Sequence, residues 1–103
     1  MWAQLITTRI KAGEEAGLER LTQLLRDAEQ PGSGMVRTTV MREQADPTAI
    51  SILVVFESEE AARAREGDPR RGEAMAEVQA TMAEILAEPP SFTDVEVLQE
   101  YTP

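Results

Sequence analysis

Ser51–Arg71 reads SILVVFESEEAARAREGDPRR. Its first six residues form the most apolar run of the chain, with Ile52, Val54 and Phe56 on one face of a strand and Leu53 and Val55 on the other. Ser58 is a good helix N-cap, and Glu59 and Glu60 suit the first turn of the helix that follows. That helix runs from Glu59 to about Arg65, and Gly67 ends it. Asp68-Pro69 restarts helical structure, with Asp68 as N-cap and proline at the first helical position. The same stretch holds Arg63, Arg65, Arg70 and Arg71, four of the ten basic residues in a chain of net charge −9.

Outward from this stretch the elements fall into an alternating order. Trp2–Ile10 is rich in β-branched residues and predicts a strand. Lys11-Ala12-Gly13 turns the chain. Leu18, Leu21, Leu25 and Ala28 then recur at helical spacing, which predicts a helix from about Glu14 to Glu29. Gly17 within it costs about 1 kcal/mol relative to alanine, so packing must sustain the first turn. Pro31-Gly32-Ser33-Gly34 stops the helix. Met35–Arg42 is a second strand and Ile50–Phe56 the third, joined by a turn at Asp46-Pro47 that implies an antiparallel hairpin. After the restart at Asp68, Met75, Val78, Met82, Ile85 and Leu86 mark one face of a helix reaching about Ala87, ended by Pro89-Pro90. Phe92–Tyr101 is read as the last strand.

The order β-α-β-β-α-α-β predicts an α+β ferredoxin-like sandwich, a four-stranded antiparallel sheet with helices on one side. The expected strand order is fourth, first, third, second, or a close relative of it. The third strand is apolar on both faces and the helices cover only one. A second copy of the same sheet is the simplest cover for the other, which predicts a homodimer joined through its sheet faces.

Composition bounds the chemistry. A chain of 103 residues is expected to form one domain, 1–103, and can bury roughly two thirds of its unfolded surface. Met1-Trp2-Ala3-Gln4 shows no secretory pattern and no apolar run approaches a membrane span, so a cytoplasmic protein with no membrane partner is expected. Nineteen acids against ten bases argue against nucleic acid as a partner. The chain contains no histidine, cysteine or asparagine. Ser–His and Cys–His nucleophile pairs are excluded, as is a zinc site built on His or Cys. No glycine-rich phosphate loop is present, so no nucleotide cofactor is indicated.

Lys11-Ala12-Gly13-Glu14-Glu15, Gln30-Pro31-Gly32, Val54-Val55-Phe56-Glu57-Ser58-Glu59-Glu60-Ala61 and Asp68-Pro69 together resemble the antibiotic biosynthesis monooxygenase (ABM) domain family of the dimeric α/β-barrel superfamily. The resemblance implies the fold already read from the element order, a homodimer, and no bound cofactor or metal. The superfamily includes cofactor-independent monooxygenases acting on polyketide quinols, haem-degrading enzymes, lactone isomerases and members with no known reaction. The resemblance is thus compatible with oxidation or isomerisation of an aromatic or polyketide-like compound. Haem oxidation of the family's type relies on an asparagine and a histidine that this chain lacks. Three positions depart from the family pattern. Its tryptophan after the third strand is Phe56 here, and the histidines often found at the end of the next helix and after the proline are Arg65 and Arg70.

The ligand-pocket candidates are therefore Phe56, Arg65, Arg70 and Tyr101. Phe56 would stack on a planar ligand, the two arginines would receive an anionic group, and Tyr101 carries the only phenolic hydroxyl. Glu59–Arg63 and Glu66–Arg70 also have the i,i+4 spacing of ordinary surface pairs. No carboxylate is singled out as a base. Two readings stay open: a monooxygenase-like enzyme with its site near Phe56, Arg65 and Arg70, or a non-catalytic homodimeric ligand-binding or structural module.

Overall fold

Alternation along the strands turns Trp2, Ile50, Ile52, Val54 and Phe56 to one shared face. In the computed structural model, which describes residues 1–103, β1 (Trp2–Arg9) lies between β3 (Ala49–Phe56) and β4 (Ser91–Glu96), with β2 (Met35–Arg42) on the far side of β3. All three pairings are antiparallel. The order β2-β3-β1-β4 is the ferredoxin-like order expected from the sequence. The register sets Trp2 opposite Phe56 and Ile6 opposite Ile52. These residues, with Ile50 and Val54, form the core together with Leu21 of α1 (Glu15–Ala28), Ala62 of α2 (Glu59–Glu66) and Val78 and Ile85 of α3 (Gly72–Ile85). A 3₁₀ turn, Pro69–Arg71, leads into α3. No helix is long and apolar enough to cross a membrane.

Two glycines explain how closely the layers approach. A Cβ on Gly17 would lie 2.6 Å from Ile85 Cγ2. The residue that weakens α1 locally is thus the one that lets α1 settle on α3. Gly34 has φ +82° and a Cβ there would meet Ala61 Cβ at 2.6 Å. It seats the start of β2 against α2, and its carbonyl accepts from Glu57 N–H at 2.9 Å. Both caps predicted around α2 and the 3₁₀ turn form. Ser58 Oγ accepts from Ala61 N–H at 3.1 Å, and Asp68 Oδ1 from Arg70 N–H at 2.9 Å.

The ends of two elements differ from expectation. α3 stops at Ile85 rather than Ala87, because Leu86 becomes extended and bridges Ile10. β4 stops at Glu96 rather than Tyr101. Val97 N–H still bonds Met1 O at 3.1 Å, but beyond it no strand lies opposite. The chain then turns back toward β2, where Glu100 pairs with Arg37. Arg37 lies in the same cross-strand row as Val55, Ala3 and Val95, on the face away from the helices. Ala3 and Val55 are each only 1% exposed although no helix covers them. The tail after β4 is therefore their cover, so part of the second sheet face is closed by the chain itself. β2 has no such cover. Only Met35 is partly shielded, and Val36, Val40 and Met41 are exposed.

Candidate functional site

The site is assembled where β3 ends and the three helices converge. Strand alternation turns Phe56 toward the helices, where it is 3% exposed. Two turns of α2 carry the chain from the Ser58 cap to Arg65, whose guanidinium carbon lies 5.3 Å from the Phe56 ring centroid. Arg65 Nε donates to both carboxylate oxygens of Glu29, just past the end of α1, at 2.8 Å each. Both side chains of this pair retain 17% exposure. On the other side of Phe56 stands Trp2, ring centroids 5.9 Å apart at 52°. Arg63 in turn lies 5.1 Å over Trp2. The result is a stack of cation, aromatic, aromatic and cation, in which each guanidinium meets the electron-rich face of a ring.

Arg70 and Arg71 are consecutive, but the 3₁₀ turn rotates them to opposite sides. Arg70 faces solvent and is held by Asp68, with Nη2 2.6 Å from Oδ2. This pairing raises the Arg70 pKa and lowers that of Asp68. The predicted Glu66–Arg70 pair does not form, because Glu66 is bound by Arg63 at 3.1 Å. The Glu59–Arg63 pair does form, at 3.3 Å. Arg71 faces inward and is the one buried charged residue of the chain, 9% exposed. Its Nη2 lies 3.2 Å from Met75 Sδ, and its Nε is buried with no acceptor. Burial, and then the neighbouring Arg65 charge, push its pKa down from the ordinary arginine value.

Of the four candidates, Phe56 and Arg65 are brought together. Arg70 lies beside them in sequence but points away. Tyr101 is 84% exposed in the tail after β4, on the opposite side of the sheet from Phe56. Glu29 and Arg71 complete the corner and were not among the candidates. A signal for Arg71 was present: it stands four residues before Met75, in phase with the Met75, Val78, Met82 stripe. Nothing local marks Glu29, which reaches the site only because α1 ends there. Trp2 is 8% exposed within the core. Two surface hollows lie elsewhere, one around Met82, Leu86 and Pro89, the other around Arg20, Leu24 and Thr81. Nowhere do three acidic side chains converge in a group that could hold a metal ion.

Comparison with known proteins places this geometry in context. No curated protein matches the chain. Among solved structures, a protein from Nitrosomonas europaea that carries the name antibiotic biosynthesis monooxygenase aligns with a TM-score of 0.74 at 17% identity, covering 96% of this chain and 100% of its own. A namesake from Caulobacter crescentus gives 0.75 at 15% identity, covering 95% and 90%. A third, from Deinococcus radiodurans, gives 0.73 at 16% identity, covering 100% and 98%. At such identities these likenesses establish the fold. The family model for antibiotic biosynthesis monooxygenase matches residues 1–77, from β1 through the 3₁₀ turn that orients Arg71 and into α3. The chain belongs to the antibiotic biosynthesis monooxygenase family.

Proposed function

We propose that this protein binds a small aromatic or polyketide-like compound beside Phe56 and Arg65 and oxidises it with dioxygen, without a bound cofactor. The observation that carries the reading is the corner itself. One aromatic face, two guanidinium groups and a single carboxylate meet at the end of β3, and the chain belongs to a family named for such oxidations. Cationic groups at low exposure stabilise an enolate or phenolate, the form of an anthrone or quinol that reacts with dioxygen. In that reaction a ring CH2 becomes a carbonyl. One oxygen atom enters the product and the other leaves as water. The test is oxygen uptake with an anthrone, followed by mass spectrometry of the quinone. Turnover that falls at least about tenfold in Arg65→Ala supports the reading. No uptake by wild type above the uncatalysed rate overturns it.

A second reading has its own observation. Phe56 is almost fully covered, with Trp2 against it and Arg65 over its ring. A filled position of this kind suits a non-catalytic module that binds a ligand or only itself. Binding without turnover would favour it.

Both readings include a homodimer joined through sheet faces. The face away from the helices supports this, since Met41 of β2 is exposed there and stands with Thr39 and Arg37 in the rows of Ser51, Leu53 and Val55. Apolar residues left bare on such a face favour cover by a second copy. A monomeric mass in solution would remove the dimer. A cytoplasmic location and a single domain over 1–103 belong to the same proposal.

A further inference from the structure

We propose that Arg71 is an anion-binding residue, receiving a carboxylate, phenolate or enolate oxygen of the ligand at the corner where α1, α2 and α3 meet. The inference rests on the small-molecule reading above and specifies the group that is bound.

Its basis is an unfilled pair of donors. Nε–H and the adjacent Nη2–H of a guanidinium point the same way and match the two oxygens of a carboxylate. In Arg71 the first has no acceptor and the second has only the Met75 sulfur, a weak one. Three carboxylates act on Arg71 through space, Glu29, Asp68 and Glu66. Each is committed to another arginine: Glu29 to Arg65, Asp68 to Arg70 and Glu66 to Arg63. Arg71 forms no ion pair of its own, in a chain with nineteen acids. A buried guanidinium without a counter-charge is costly to fold. It is more costly beside a second one, and Arg65 is near enough to depress its pKa. An entering anion would relieve both the desolvation and the repulsion. The fork already faces the flexible Met75 thioether, which can swing away without breaking a packed branch.

The chemistry recognised is thus a planar aromatic or apolar body with one anionic oxygen group. The experiment uses the intact protein with 2-naphthoate and its neutral isostere 2-naphthamide, followed by calorimetry. Wild type is expected to favour naphthoate by about tenfold or more. Arg71→Met keeps the apolar stem and removes the fork, so the preference should vanish. Arg71→Lys should keep part of it, and Arg70→Met, beyond the corner, all of it. In the unliganded protein Arg71→Met should unfold at the same temperature as wild type or higher. A preference that survives in Arg71→Met, no preference in wild type, or no naphthoate binding at all overturns the proposal. So does a fall in the Arg71→Met midpoint of about 4 °C or more, the mark of a guanidinium that holds the fold. None of these readouts requires turnover, so a failed oxidation assay leaves this result standing and the converse holds.

Discussion

The two ends of the sheet carry similar charges and use them differently. At the hairpin end Arg9 pairs with Asp46 and Glu88, and Asp46 also accepts from Thr48 N–H at 3.1 Å and Thr48 Oγ1 at 2.6 Å. The groups are exposed and the donors are met. At the other end Arg65 takes the carboxylate of Glu29, and Arg71 is buried with no ion pair and a donor left over. Exposed ion pairs of the first kind hold a turn in place and contribute little to stability. The second arrangement carries a desolvation cost that no ion pair of Arg71 offsets.

Substitutions can break or sharpen this contrast. The largest effect is expected from Phe56→Ala, which empties the centre of the cation–aromatic stack and should cost about 3–4 kcal/mol in urea unfolding. A cost below about 1 kcal/mol would mean the corner is loosely packed. Gly34→Ala should follow, at about 2–3 kcal/mol, since a side chain there meets both Ala61 and an unfavourable positive φ. Gly32 also has positive φ but open space around it. Gly32→Ala is expected to cost only about 1 kcal/mol, so the difference between the two measures the close approach. Glu29→Gln leaves Arg65 without its carboxylate, beside the charge of Arg71, and should destabilise by about 2 kcal/mol, discounted for partial exposure. That loss should shrink in Arg71→Met, because the repulsion it unmasks is gone.

The smallest effect belongs to the hairpin end and is a matter of pH. The Thr48 hydroxyl and then Arg9 hold the Asp46 carboxyl at about 2, below its ordinary 3.8. A depressed carboxylate stabilises the fold above its unfolded value and loses that contribution as pH falls toward the folded one. Melting temperatures of wild type and Asp46→Asn should therefore differ modestly at neutral pH and converge as pH drops from about 4 to about 2. A difference that persists at pH 2 would show that the hairpin depends on shape rather than charge.

Much of the fold was legible because its signals are local. Ser58 and Asp68 announced their helices by capping chemistry, and Asp46-Pro47 announced the hairpin. β3 stood out by composition, and the four motif fragments pointed to the family that the match over 1–77 establishes. The site was legible only in part. Phe56 and Arg65 were found because strand alternation and helix spacing project them from elements already placed. Arg70 and Arg71 are separated by a single peptide, and only the phase of Arg71 with Met75 distinguishes the inward-facing one. The tail after β4 was read as strand because its alternation continues, while the pairing it would need does not.

What the sequence determined by itself is the order of elements, their sheet order and the class of fold, since caps, turns and apolar period act over a few residues. Tertiary structure alone decided which arginine is buried, which carboxylate serves which guanidinium, and how the tail closes over Ala3 and Val55. Those outcomes depend on groups far apart in the chain, Glu29 with Arg65 and Arg37 with Glu100. Each charge settles where desolvation and the nearest free partner balance, and that balance exists only after the layers have packed.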